Sequence, residues 1–348
     1  MSSKKRRCHH CPSRASNQVM SCRSIGVRCC FLFAALSSLL TGCAPAGDQQ
    51  LDNATIAIVI PYRPGGGFDR TVRAFAPYFA RQLGAGVTVL PENVPGAGGR
   101  RGAAKVYRAR PDGTTLGIFN LPGFVLPEVL GEKVDYDLRE LSWIGRLESQ
   151  DYVLLISSAS ELQSLDNVRA ADEISFLSTG YGSSVLAATQ IIAERLALTD
   201  KSPIYLAGYA GTADYLVGLI RGDGNVAVGP VSTSLKYIES GDLRPLAVTG
   251  DGSSLPGVPT FTELGFPDLA ALDLQRSIAG PPGLDAELLT TLREAFLRAV
   301  ADPEFIATAR NARLDLSPLA GAATAAEIEE SFTFYETFKT NLKNPNAL

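Results

Sequence analysis

Two glycine-rich stretches follow apolar, β-rich runs in an arrangement that could do chemistry. "PGGGFD" (64–69) comes after "TIAIVI" (55–60), and "GAGG" (96–99) lies beyond "VTVL" (87–90). Two further turns share the design: "STGYGSS" (178–184) after "ISFL" (174–177), and "GYAGTAD" (208–214) after "PIYLA" (203–207). A helical pattern follows each. A turn from strand to helix presents backbone N–H groups that lack partners within the helix, and the helix dipole adds positive potential there. Glycine lets the backbone approach a ligand closely and adopt positive φ. Turns of this kind hold anions. Several of them at comparable strand ends point to a ligand crevice beyond the carboxyl ends of a sheet.

The nucleotide motifs fail on inspection. A phosphate loop needs Gly-Lys-Ser/Thr, and no turn has it. A dinucleotide turn needs G-x-G-x-x-G; "GGGFDR" (65–70) and "GYGSSV" (180–185) lack the last glycine, and "GAGGRRG" (96–102) is one residue too long. Catalytic constellations fail as well. Both histidines, His9 and His10, lie near the N-terminus, as do all six cysteines: Cys8, Cys11, Cys22, Cys29, Cys30 and Cys43. Asp69 and Asp214 each stand at a helix start and could be offered as a carboxylate pair, but first-turn carboxylates ordinarily serve the helix dipole.

The N-terminus explains that placement. Lys4, Lys5, Arg6, Arg7, Arg14, Arg23 and Arg28 precede any acidic residue, an apolar run "CCFLFAALSSLL" spans 29–40, and "LTGC" closes it at Cys43. A basic segment, an apolar core too short to span a bilayer and a small-residue site make a secretory signal. "LTGC" at that point has the pattern of a bacterial lipobox, so residues 1–43 read as a lipoprotein signal, with Cys43 the acylated residue. Met1 and Met20 are both candidate starts, and removing each start codon in turn decides between them. "CHHC" (8–11) leaves with the leader, so no metal site and no cofactor are expected. The mature chain then has no His and no thiolate nucleophile. Removing seven basic residues of 32 leaves 25 against 36 acidic, a net charge of −11. That balance argues against nucleic acid. An anionic ligand must be held by local donors against the overall field.

Residues 44–53, "APAGDQQLDN", read as a tether. Beyond it apolar runs at 55–60, 87–90, 115–119, 152–156, 174–177, 203–207, 225–229 and 244–249 alternate with helical patterns, which predicts an α/β fold with mostly parallel sheets. Phe68, Val72, Phe75, Phe79 and Leu83 form one stripe, with Asp69 placed to pair Arg73; Pro77 is expected to kink or split that helix. Val185, Ala188, Ile192 and Leu196 form another stripe, and helices are expected near 285–300 and 324–340.

Over 61–119, "PYRPGGGFD", "ENVPGAGG", their spacing and "PDGTTL" resemble the substrate-binding receptors of tripartite tricarboxylate transporters, the Bug family. "VDYDLRELSWIGRL" (134–147), "STGYGS" (178–183), "YAGTADYLVGLIRGD" (209–223), "SGDLRPLAVTG" (240–250), "LPGVPTFTELGF" (255–266) and "GPPGL" (280–284) extend the resemblance over nearly all the mature chain. It implies a type II periplasmic-binding-protein fold, with two lobes, two hinge crossings and a ligand cleft between. Lobe 1 would be 54–150 plus 276–348, and lobe 2 would be 151–275.

The resemblance also implies a small carboxylate ligand. It would be held by Gly65, Gly66, Gly67, Phe68 and Asp69, and by Gly96, Ala97, Gly98 and Gly99 of lobe 1. Lobe 2 would close with Ser178, Gly180, Gly182, Ser183, Tyr209, Gly211 and Thr212. The partners it implies are that organic anion and a two-subunit permease. A periplasmic monomer tethered to the membrane by lipid is expected, without enzymatic activity. Two rivals remain open: a receptor feeding a sensor, and an enzyme using Asp69 or Asp214. The chain departs from the family in having no His after "STGYGS", no Trp before "GPPGL" and Phe68 where a small polar residue or Tyr is common. Arg100 and Arg101, beside the second turn, are candidates for a second ligand carboxylate.

Overall fold

A computed structural model describes residues 51, 53–180 and 183–342. The leader, "CHHC", Cys43, most of the tether and Gly182 lie outside the described residues.

The chain opens with β1 (Thr55–Ile60), α1 (Gly67–Leu83), β2 (Thr88–Asn93), α2 (Arg100–Tyr107) and β3 (Thr115–Leu121). β1 is apolar from Ile56 to Ile60, and it pairs in parallel with β2 on one side and β3 on the other. α1 carries the expected stripe: Val72, Phe75 and Phe79 are fully buried. Pro77 does not split it. The helix continues as one 17-residue element with Pro77 inside. Pro77 and Arg73, whose carbonyl loses its helical partner, both stand on the exposed face, away from the buried stripe.

After α3 (Val125–Val129) comes β4 (Ser142–Ser157), one 16-residue strand where only 152–156 was expected. Then follow α4 (Leu165–Ala170), β5 (Ser175–Ser178), α5 (Ser184–Arg195), β6 (Ile204–Ala207), α6 (Thr212–Arg221), β7 (Val226–Pro230), α7 (Val231–Glu239) and β8 (Leu243–Val248). β9 (Asp273–Gly280), α8 (Ala286–Val300), α9 (Pro303–Asn311), β10 (Leu316–Ala320) and α10 (Gly321–Thr337) complete the described chain.

The strands run β2-β1-β3-β9-β4-β7-β5-β6, with β8 and β10 also on β4. The outer strands are parallel as expected, β1 with its neighbours and β5 with β6 and β7. The centre is antiparallel: β9 joins β3 to β4, and β4 pairs with β7, β8 and β10. β4 changes partners midway. Ser142 to Asp151 pair with β9, whereas Tyr152 to Leu155 pair with β7 and Val153 to Ser157 with β8.

One apolar cluster fills the space between α1, α8 and the sheet, around Phe75, Phe79, Phe296 and Phe305. The ring centroid of Phe75 lies 5.1, 5.6 and 5.7 Å from those three. The second cluster runs without a break past the point where β4 changes partners, from Phe119 and Trp143 through Tyr152 and Leu154 to Phe176 and Ile191.

Gly145 of β4 lies directly under Phe296: a methyl group there would come within 2.3 Å of the ring. Gly145→Ala is therefore expected to destabilise the fold by about 1–3 kcal/mol through overpacking. Chemical denaturation measures it, and an unchanged midpoint would mean that Phe296 moves aside at no cost.

Candidate functional site

The first turn is built by its own aspartate. Gly66 caps α1 in an extended conformation and makes no side-chain cap bond. Arg70 N–H, bonded to the Gly66 carbonyl at 3.0 Å, is the first helical donor engaged. The N–H groups of Gly67, Phe68 and Asp69 precede it and belong to the donors a helix start cannot satisfy internally. Gly65 N–H is not free for a ligand, because it donates to Asp69 Oδ2 at 2.9 Å. Asp69 also receives Arg73 Nε at 3.0 Å and Asn93 Nδ2 at 3.0 Å. Arg73 foremost, with the Gly65 and Asn93 donors, holds the Asp69 carboxyl down at about 2. Asp69 is thus the clasp of the turn, fixed and ionised.

Asn93 also donates to the Tyr62 carbonyl at 3.1 Å and accepts from Arg73, so the base of the second loop is tied to the first turn. In the second loop Ala97 has φ 49° and Gly98 φ 65°, both left-handed. Gly99 is buried, and a Cβ there would stand 2.9 Å from Phe124 and 3.3 Å from Pro61; its role is close packing. Gly98 faces open space. Arg100 is engaged by Glu132, while Arg101 is exposed with its aliphatic stem against Gly96.

In the other half, Ser183 caps α5 by accepting from Leu186 N–H at 3.2 Å and receives Thr179 Oγ1 at 2.7 Å. It borders a small gap shared with Leu126 of α3 and Leu130 just after it. Ser178 is fully buried and its hydroxyl has no partner; Gly180 is exposed in open space. Gly211 starts α6 without a side-chain cap, and Thr212 follows it. The Tyr209 hydroxyl donates to Asp223 at 3.0 Å. Asp214 is exposed and lies in a different turn from Asp69, which is engaged throughout, so no interaction joins them as an acid–base pair.

Sequence reasoning missed the polar row beneath the first turn. Glu148 of β4 is fully buried, pairs with Arg276 of β9 and accepts from Thr71 of α1. Gln150 Nε2 donates to Glu148 at 3.1 Å, and Ser232, in the first turn of α7, donates to Gln150 at 3.0 Å. The row therefore runs from the start of α1, across β4, to the start of α7. The Arg276 guanidinium carbon lies 4.8 Å from the centroid of Phe68. Phe68 packs against Tyr62 at 4.7 Å. Asn120, cross-strand neighbour of Arg276, donates to the Tyr62 hydroxyl at 3.1 Å. Burial pushes that phenol up to about 12, so it stays protonated. The available signal was one arginine inside the strand "DLQRSIAG" and one glutamate in "RLESQ"; their pairing spans 128 residues and left no trace in local pattern.

A further cavity lies elsewhere. It measures about 270 Å³ and is lined by Leu121, Gln275, Asp273, Glu327, Glu330 and Tyr335 among others. Three carboxylates on its wall make it unsuitable for an anion, and burial raises Asp273 to about 6.

The profile of the family described as "Tripartite tricarboxylate transporter family receptor" matches residues 71–328, which include the second loop and both turns of the other half. A UPF0065 protein of Cupriavidus necator is 28% identical over 291 residues, 82% of this chain and 86% of its own length. The protein BugT of Bordetella pertussis is 28% identical over 261 residues, 72% of this chain and 77% of its own. The solved structure of MatC from Rhodopseudomonas palustris with bound malate superposes with a TM-score of 0.69 at 20% identity, covering 82% of this chain and 99% of that one. The fold is that of the periplasmic binding proteins. The chain belongs to the receptor family of the tripartite tricarboxylate transporters.

Proposed function

We propose that the protein captures a small organic carboxylate outside the cytoplasm, in the periplasm, and presents it to a two-subunit permease without altering it. The observation that carries this reading is the uncapped start of α1: unengaged N–H groups at Gly67, Phe68 and Asp69 over a buried guanidinium. Membership of a receptor family supports binding over catalysis, and the malate held by MatC supports a carboxylate. In this reading residues 54–150 with 276–348 form one lobe and 151–275 the other. The change of strand partners on β4 between Asp151 and Tyr152 supports a crossing there. The turns at Gly65–Asp69 and Gly96–Gly99 receive the ligand, and those at Ser178–Ser183 and Tyr209–Thr212 close over it. Among the described residues no helix is long and apolar enough to cross a membrane, which suits a tether through an acylated Cys43.

A ligand that binds only the folded receptor raises its melting temperature with the logarithm of concentration over Kd. In a thermal-shift panel of propionate, benzoate, malate, adipate, citrate and glutamate, at least one acid should raise it progressively with concentration. A flat response to all six would overturn the reading.

If Asp69 clasps the turn and performs no chemistry, Asp69→Asn costs stability. A carboxyl held at about 2 instead of 3.8 is worth about 2 kcal/mol near neutral pH. Its folded value is depressed, so the contribution is full above pH 4 and vanishes as pH falls towards 2. The gap between wild type and variant in denaturant midpoints should close over that interval; a gap constant with pH would show that the charge is irrelevant.

Cys43→Ala should move the receptor from the membrane fraction to the soluble periplasmic fraction. Persistence in the membrane fraction would rule out the lipid tether.

A further inference from the structure

The arginine beneath the first turn has a feature that its structural role does not use. Nη1 of Arg276 is taken by Glu148, but the buried Nε has no partner in the protein. The residue is 8% exposed, so leaving that donor unmet costs free energy. Beside it the Asn120 Oδ1, on a residue 9% exposed, is also unpartnered. Both side chains lie on the face of the sheet that α1 covers, as cross-strand neighbours. The guanidinium reaches up to the helix start itself: Nη2 is 2.6 Å from the position a Cβ on Gly67 would occupy. Any side chain at 67 would displace it, which accounts for the third glycine of "PGGG".

The other cations near the turn are differently placed. Arg63 and Arg70 are exposed, where water and salt screen their charge. Arg73 is bound by Asp69. Phe68 stacks on the face of Arg276 and leaves its edge available, and stacking and in-plane carboxylate pairing are compatible in arginine. A helix start carries about half a unit of positive charge, and the unpartnered guanidinium edge directly behind it adds donors aimed the same way. Glu148 already balances one negative charge against Arg276, so the remaining edge suits a planar group of single charge. That favours a carboxylate over a phosphate dianion.

Resting on the receptor reading above, we propose that Arg276 is a specificity-determining residue of the anion site. Its unused edge takes the ligand carboxylate seated on the N–H groups of Gly67 and Phe68, and Glu148 holds the guanidinium in place.

The test combines a charge-neutral double variant with a direct probe of the wild type. Removing Arg276 alone would strand Glu148 in the core, so Glu148→Gln and Arg276→Gln are made together. Titration calorimetry then compares the panel acids with their amides. The double variant should melt near the wild type yet bind the responding acid at least tenfold more weakly, and it should lose the preference for acid over amide. Binding within twofold of wild type, with that preference kept, overturns the proposal. Should the double variant fail to fold, the ¹⁵Nε–¹H resonance of Arg276 in the wild type decides. It should shift on addition of the acid and stay in place with the amide or inorganic phosphate. Acid binding without that shift removes Arg276 from the site and leaves the receptor reading standing. A wild type that binds none of the acids overturns both.

Discussion

A charge buried under a sheet must find an opposite charge and hydrogen bonds, or the fold bears several kcal/mol of desolvation. Glu148 and Arg276 meet that requirement for each other, and the surrounding architecture follows from the pairing. Arg276 can stand beneath α1 only because Gly67 has no side chain. Glu148 can remain fully buried because Thr71, Arg276 and Gln150 all donate to it. Gln150 then passes the row on to Ser232. The positive start of α1 and the start of α7 are thus joined by consecutive polar contacts across the strand that both sheet regions share.

Above that row the turn is organised by a carboxylate of its own. Asp69 occupies Gly65 N–H, orients Arg73 and holds Asn93, which draws the second loop alongside. The donors left over are backbone groups at fixed positions, and the aromatic wall of Tyr62 and Phe68 stands beside them. Recognition of a carboxylate end by such donors makes few demands on side-chain identity. In the other half the Ser183 hydroxyl is engaged by Thr179 and Leu186, and the Tyr209 hydroxyl by Asp223, so these turns too are fixed by their own hydrogen bonds.

Much of the fold was legible. β1, β5 and β7 are short apolar runs that need no partner pattern to be recognised, and the stripes of α1 and α5 repeat at helical spacing. The turns were legible too, since glycine after a strand is a local signal. What escaped detection is non-local. The first half of β4 and all of β9 carry Glu148, Gln150, Gln275 and Arg276, and polar residues mask a strand that is buried on both sides. Their burial is tolerated only because they meet one another, which no window of sequence displays. Pro77 misled for the opposite reason: the local rule was sound, but the affected residues lie on the exposed face of the helix.

The continuity of β4 has a mechanical meaning. A chain that crosses between two sheet regions through a loop can swivel about a few freely rotating bonds. Here sixteen residues cross as one extended ribbon, hydrogen-bonded on both sides of the change of partners. Such a ribbon resists bending within its plane and yields by twisting along its length. Any relative movement of the two regions would load β4 in torsion distributed over many residues, with a restoring force like that of a torsion bar. The angle between the two sheet regions is then tied to the twist of β4, written into the packing of residues on either side of its change of partners.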